Sequence, residues 1–267
     1  MKAPAFFSVI IPNHNRPLLL QRALESIKAQ QCELPCEIII VSDVANSDVS
    51  RICDQLLGEN DIYIRRNDTK MPHISRNIGL TLASGRYILF LDDDDAWHPD
   101  LLSQLARRPE IREGKFVWFN CSVVQESRCE SIPKFIDETP LDVSHAFTEG
   151  IYLKNQVHMS CIAFPRDLIG NTRFDPCLKA YEDWDFLLSI IDKATSPIHL
   201  PITGSRVFEV RDETSDRQGN SKYHNSFNSV MDYLYIYRRH PAPNDALRQQ
   251  RAELLKSVGM EVPADML

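Results

Sequence analysis

The chain lacks a basic block, a long hydrophobic run and a paired-cysteine motif, and each absence removes a class of function. The formal net charge is -7 over 267 residues, and no cluster of Lys and Arg offsets it locally. A general nucleic-acid binder is therefore not expected. No apolar stretch approaches the roughly 18 residues needed to span a bilayer, so any membrane contact is expected to be peripheral. Residues 6–11 are too few for a signal-peptide core and meet Pro12 at once. The seven cysteines are an odd number with no C-x-x-C pair, and Cys32 and Cys36 have no Cys/His partners that would complete a zinc pattern. Reduced thiols in a cytoplasmic protein follow. Internal repeats and linker-like breaks are absent as well.

The composition, 43% hydrophobic and 25% charged, is that of a soluble globular protein. It suffices for one large α/β domain or two small ones, each with a real core. The most informative stretch is Tyr87-Ile88-Leu89-Phe90-Leu91, which runs into Asp92-Asp93-Asp94-Asp95 and then Ala96-Trp97-His98-Pro99. If the segment stays extended, Asp92 and Asp94 share one face and Asp93 and Asp95 the other. Carboxylates at that spacing repel unless a cation lies between them. A hard divalent ion, with phosphates and water completing its shell, suits such a pair. The competing reading is a solvated acidic turn in which Asp95 caps a helix that Pro99 helps to start. Four carboxylates at the end of a buried strand favour the metal.

In chain order, residues 7–11 read as a buried strand stopped by Pro12, and Pro17 opens a helix whose apolar face is Leu20, Ala23, Leu24 and Ile27. Residues 37–41 form a second strand ending at Ser42-Asp43. A helix carrying Val49, Ile52, Cys53 and Leu56 follows, then a strand over 62–64 and a helix over 74–84 stopped by Gly85. This β-α-β-α-β-α-β order predicts an α/β fold with a mainly parallel, Rossmann-like sheet and helices on both faces. Ligands bind such sheets at the carboxyl ends of the strands, where Asn13, Asp43 and Asp92 fall. The second half reads as strands over 115–120, 160–164 and 206–210, with an irregular excursion over 125–150. A helix opens at Glu182-Asp183-Trp184-Asp185. Residues 212–222 look mobile. Beyond them Phe227, Val230, Met231, Leu234 and Tyr235 make a helical stripe, read first as core packing and second as a dimer or membrane-surface face. Leu247, Leu254 and Leu255 suggest a last short helix.

Five pieces resemble the family 2 inverting glycosyltransferases of GT-A fold. They are Ser8-Val9-Ile10-Ile11-Pro12-Asn13-His14-Asn15-Arg16, the Ser42-Asp43 strand end, Ser75-Arg76-Asn77-Ile78-Gly79, the run from Gly85 through the four aspartates to Pro99, and Glu182-Asp183-Trp184-Asp185. The resemblance covers roughly residues 6–210. It implies a GT-A domain over 1–220, with a nucleotide-sugar-binding half over 1–110, a smaller mixed acceptor-side half over 111–220, and a C-terminal helical extension over 221–267. It further implies a nucleotide-sugar donor, UDP- or dTDP-linked, and a saccharide or glycoconjugate acceptor. Donor-binding residues would be Pro12, Asn13, Asn15, Arg16, Asp43, Arg76, Asp92 and Asp93. Asp92 would lie near the ribose, and Asp92 with Asp94 would hold Mn²⁺ or Mg²⁺ against the diphosphate. Asp43 would accept the ring N–H of uracil or thymine, and Asp183 would be the catalytic base. The chain departs from the family at Ser42-Asp43-Val44-Ala45, where Asp-Asp-Gly-Ser is usual, which bears on the choice of base.

Three rivals stand beside this reading. A haloacid-dehalogenase-like phosphatase wants Thr or Val where this chain has Ala96, and a sugar-nucleotidyltransferase wants a Gly-rich loop where Asn13 to Arg16 contains none. A catalytically inactive sugar-nucleotide-binding domain is opposed by the intact Asp92, Asp94 and Asp183. Trp184 is either a sugar platform or a core residue, Arg76 either a diphosphate ligand or half of an ion pair, and His224 most simply a solvated side chain.

Overall fold

The computed structural model describes residues 4–67, 71–130, 132–211 and 227–267, of which 227–229 are described by backbone alone. Four strands, β1 (Phe7–Asn13), β2 (Cys36–Ser42), β3 (Ile62–Arg65) and β4 (Tyr87–Phe90), lie parallel in the order β3-β2-β1-β4. Their near-continuous apolar sequences suit strands covered by helices on both faces. The covering helices are α1 (Pro17–Lys28), α2 (Ser47–Leu56) and α3 (Pro72–Leu82). Pro17 and Pro72 occupy first-turn positions where no N–H is required, and the Asn46 side chain caps α2 by accepting from the amides of Asp48 and Val49. The predicted apolar face of α1 is buried.

Two expectations for this half change. Pro12 lies inside β1 instead of ending it: pairing with β4 stops at Ile10, so the missing N–H costs no ladder bond. Gly85 does not stop α3, which ends at Leu82. A Cβ on Gly85 would sit 2.5 Å from Ser8 Oγ and 2.7 Å from Ser8 N, so glycine is demanded by close approach of two backbones. Its amide donates to Ser8 Oγ, which donates in turn to the buried Glu37 carboxylate.

The second half extends the sheet with both orientations. β5 (Ala96–Trp97), β6 (Val117–Ser127), β7 (Lys134–Leu141), β8 (Ile162–Pro165) and β9 (Ile198–Val210) continue it in the order β4-β8-β6-β9-β5, with β7 also paired to β6. Here β6 and β9 run parallel, and the other pairings are antiparallel. The excursion expected over 125–150 thus contains strand β7, and β9 starts eight residues before the expected strand. Short helices α4 (Leu101–Arg107), α5 (Pro109–Arg112) and α6 (Arg166–Ile169) fill the connections. Helix α7 (Glu182–Ile191) follows, and α8 (Phe227–Arg239) and α9 (Asp245–Ser257) close the described chain. The expected α8 stripe is only partly buried: Val230 packs in the same core as β1 and β4 and Leu234 is half-buried, but Met231 and Tyr235 are exposed, and the inward face continues instead through Ile236 and Tyr237. Expectations for residues 212–222 and His224 lie outside the described residues.

Candidate active site

The carboxyl ends of β1, β2 and β4 meet on one rim, as the topology requires. Asn13 ties them together: its amide nitrogen donates to Asp93 Oδ2 at 2.9 Å, and its carbonyl oxygen accepts from Ser42 Oγ at 3.0 Å. Ser42, standing where the family usually has Asp, therefore supports Asn13 and the rim. Asp93 also accepts from the His14 amide at 2.9 Å and from Arg16 Nη1 at 3.2 Å. Burial pushes its carboxyl up to about 7, with Arg16 pulling the other way and Asp94 adding to the rise. Asn15 takes a positive φ of 47°, which Asn tolerates, and its side chain accepts from Asn46. Asp43 is buried beside His14, whose Nδ1 lies 2.6 Å from its Oδ1. His14 is a rim residue that sequence reasoning passed over.

The four aspartates do not continue the strand. The Asp95 amide donates to the Asp92 carbonyl at 3.1 Å, closing a turn that cancels the expected two-residue alternation. The structure accordingly groups these side chains differently from the expected Asp92/Asp94 pair. Asp94 faces arginines: Arg128 Nη1 lies at 3.2 Å and Arg16 Nη1 at 3.3 Å, while Arg22 donates to its backbone carbonyl. Asp92 Oδ2 and Asp95 Oδ2 each lie 3.6 Å from a ring nitrogen of His158. One donor atom from each of Asp92, Asp95 and His158 falls within 4.8 Å of the others. Two carboxylate oxygens and an imidazole nitrogen suit Mn²⁺ well and Mg²⁺ less well, because Mg²⁺ prefers oxygen throughout. A divalent ion fits this donor set. Asp95 does not cap a helix, since its Oδ1 accepts from the Phe208 amide at 2.9 Å.

Across the rim, Arg76 joins the aspartate turn to α7. It is 5% exposed and donates to Asp92 Oδ1 at 2.8 Å and to Glu182 Oε1 at 3.0 Å. Burial works against its charge, but Asp92 and Glu182 outweigh that cost and hold the guanidinium protonated. Next to it, Asp183 has a donor on each oxygen. Asn155 Nδ2 lies 3.0 Å from Oδ2, and the Trp184 amide lies 2.7 Å from Oδ1. Burial first, and Glu182 second, push the Asp183 carboxyl up to about 6, against the opposing pull of Arg76. A carboxylate tuned to that value can take a proton near neutral pH. Trp184 is fully buried and donates to the Ile151 carbonyl at 2.7 Å, so it is core and no sugar platform.

Comparison with known proteins fixes the family. The profile described as Glycosyl transferase family 2 matches residues 8–141, half of the chain. The chain belongs to glycosyltransferase family 2. This family 2 chain is 28% identical to the putative colanic acid biosynthesis glycosyl transferase WcaA of Escherichia coli K12, over 90% of this chain and 83% of that protein. It is 34% identical to the GalNAc(5)-diNAcBac-PP-undecaprenol beta-1,3-glucosyltransferase of Campylobacter jejuni, over 45% of this chain and 39% of that one. In several family 2 relatives the match spans less than two thirds of the relative's length, 39% to 62%. Among solved structures, S. aureus TarS 1-349 in complex with UDP-GlcNAc superposes with a TM-score of 0.66 at 21% identity, covering 93% of this chain and 71% of that one. That likeness supports the expected GT-A fold, and family 2 membership removes the phosphatase and nucleotidyltransferase rivals. Among the described residues of this family 2 chain, no helix is long and apolar enough to cross a membrane.

Proposed function

We propose that the protein is a metal-dependent inverting glycosyltransferase. It would move a sugar from a UDP- or dTDP-sugar to a hydroxyl of a saccharide or glycoconjugate acceptor in a single displacement. The observation that carries the reading is Asp183, a half-buried carboxylate held by Asn155 and the Trp184 amide, with its titration raised to about 6 and linked through Glu182 and Arg76 to the aspartate turn. Direct attack at the sugar C1 needs one base on the acceptor side and a stabilised diphosphate on the other. Asp183 receives the acceptor proton while Asn155 and the Trp184 amide hold its oxygens. Arg76 and Arg16 are donors on the diphosphate side, Asn13 and Asp93 shape the rim, Pro12 and Asn15 set its backbone, and Asp43 reads the base. Asp92, Asp95 and His158 would hold the divalent ion, which when bound supplies countercharge to the leaving diphosphate. The sequence-based ligand pair, Asp92 with Asp94, is the alternative set and requires Arg16 and Arg128 to release Asp94.

Support for this donor and acceptor class comes from relatives: one is named as a glucosyltransferase for an undecaprenol-linked glycan, and a structural neighbour binds UDP-GlcNAc. Cytoplasmic residence, with peripheral contact at the inner face of the membrane or a homodimer through the C-terminal helices, belongs to the same reading. The deciding experiment is Asp183→Asn, followed by UDP release from a panel of UDP-sugars with saccharide acceptors and Mn²⁺. A general base contributes about 10²–10⁴-fold, so transfer should slow by that much while donor affinity stays within about threefold. Transfer at the wild-type rate would move the base elsewhere.

A further inference from the structure

The turn that presents Asp183 has unusual backbone. Tyr181, the residue before Glu182, sits at φ 59° and ψ 21°, a left-handed conformation that bulky residues seldom adopt. No side chain caps α7 there. Strained backbone of this kind persists only where its surroundings over-determine it, and it clusters at functional sites. The surroundings are supplied by α8. The ring of Tyr233 meets Tyr181 edge-on at 4.7 Å and Trp184 at 5.3 Å, so it spans the two residues that flank Glu182 and Asp183. One residue earlier in α8, Asp232 Oδ2 accepts from the Ala180 amide at 2.9 Å. Just past the end of α8, His240 Nε2 lies 3.0 Å from the buried Asp185 Oδ1. The chain is gripped before, across and after the pair.

The grip has a fixed mounting. The Tyr237 hydroxyl donates to the Leu153 carbonyl at 2.8 Å, on the segment that carries Asn155. Arg251 of α9, fully buried, donates to the carbonyls of Tyr152, Tyr237 and His240 and lies 4.0 Å over the Tyr237 ring. Helix α8 is thereby fastened both to the turn bearing Asp183 and to the segment bearing its Asn155 partner.

We propose that α8 is a positioning element for the transfer reaction. Tyr233, wedged between Tyr181 and Trp184, holds the left-handed turn that keeps the Asp183 carboxylate against Asn155; the inference rests on Asp183 being the base. Tyr233 is a positioning residue, not a catalytic one.

The test uses the full chain with Tyr233→Ala, Tyr233→Phe and Asp183→Asn. Hydrogen exchange needs no substrate. Tyr233→Ala should speed amide exchange over residues 182–185 tenfold or more while leaving β1, β2 and β4 unchanged, and Tyr233→Phe should stay within threefold of wild type. In the UDP-release assay, Tyr233→Ala should lose tenfold or more in kcat with KM for the UDP-sugar within twofold, and Tyr233→Phe should restore it. If Tyr233→Ala does not fold, Tyr233→Leu replaces it: Leu keeps much of the volume but offers no ring to Tyr181 and Trp184, so the same local exchange and kcat loss are expected. Unchanged exchange over 182–185, or kcat and donor KM failing together without rescue by Phe, overturns the proposal. A fully active Asp183→Asn sinks the base assignment instead; an inactive Asp183→Asn beside a normal Tyr233→Ala sinks only the positioning role.

Discussion

The two halves of the rim are built in different ways. On the proposed donor side Asn13, Asp43 and Asp92–Asp95 stand at or just beyond the ends of parallel strands, and hydrogen bonds link neighbouring strand ends. On the proposed acceptor side Asn155, His158 and Asp183 come from irregular segments and a helix start, and their placement depends on side-chain contacts and not on the sheet ladder. A binding surface used for every donor can be set by the sheet itself. A surface that must suit one acceptor is assembled from connections, which vary without disturbing the sheet. The donor side should therefore tolerate loss of acceptor-side residues, and the reverse should not hold where Arg76 and Asp92 bridge the two.

The sharpest way to break this comparison is the metal, whose proposed ligands come from both sides. His158→Ala should weaken Mn²⁺ binding, read by calorimetry without nucleotide, by about 10²-fold, taking the upper end of the 10–100-fold cost of a lost supporting partner as a guide for a lost ligand. Asp94→Ala should change it by less than threefold if Asp94 serves the arginines. The opposite ranking would restore the Asp92/Asp94 pair and return the site wholly to the donor side.

A smaller effect concerns the nucleotide base and stays on the donor side. With Asp43 accepting the N3–H of uracil or thymine, a mismatched base leaves a buried acceptor without its donor at a cost of about 1–3 kcal/mol. Uridine and thymidine diphosphates should bind roughly tenfold or more tightly than adenosine or guanosine diphosphates in a thermal-shift or calorimetric series. His14, already 2.6 Å from Asp43, competes for that carboxylate. Equal binding of the four would show that His14 keeps it.

The smallest expected change is in pH dependence. The proposed base would act when deprotonated, so with Asp183 in that role the rate should rise with pH through its raised value of about 6. Glu182 is one of the groups that raise it. Glu182→Gln removes that negative charge and leaves Arg76 less neutralised, and both changes favour the Asp183 carboxylate. The ascending limb should move to lower pH by about one unit or less, a size typical of one neighbouring charge. A limb that moves upward would mean that Arg76 turns away once Glu182 is gone. The same rise in titration makes the ionised carboxylate a destabilising group in the folded state. Stability from this residue is greatest below its ordinary carboxylate value and falls as pH rises through about 6.

The legibility of the sequence followed the same division. Buried parallel strands such as Ile38-Ile39-Ile40 announce themselves as unbroken apolar runs, and their polar ends mark the rim. Strand β7 was hidden because it is exposed along nearly its whole length and carries Lys134, Asp137, Glu138 and Pro140, a composition that reads as loop. The early part of β9 was masked by Pro201 and Gly204, at a point where the register with β6 also shifts. The aspartates were grouped by strand alternation, a rule that lapsed because β4 ends at Phe90 and a turn follows. His14, Arg128, Asn155 and His158 carry no periodic signal at all. Only the fold brings them to the rim, and their roles were invisible one residue at a time.

Arg251 has a further consequence. Burial, its largest influence, lowers its proton affinity to about 10, which still leaves it charged across the whole interval in which Asp183 titrates. The fastening that Arg251 makes between α9, the end of α8 and the Tyr152 carbonyl is therefore indifferent to acidity there. Its acceptors are backbone carbonyls, which do not ionise. Acidifying the protein through pH 6 should therefore protonate Asp183 while the Arg251 contacts stay in place, so that these contacts do not shape the acid limb of a pH–rate curve.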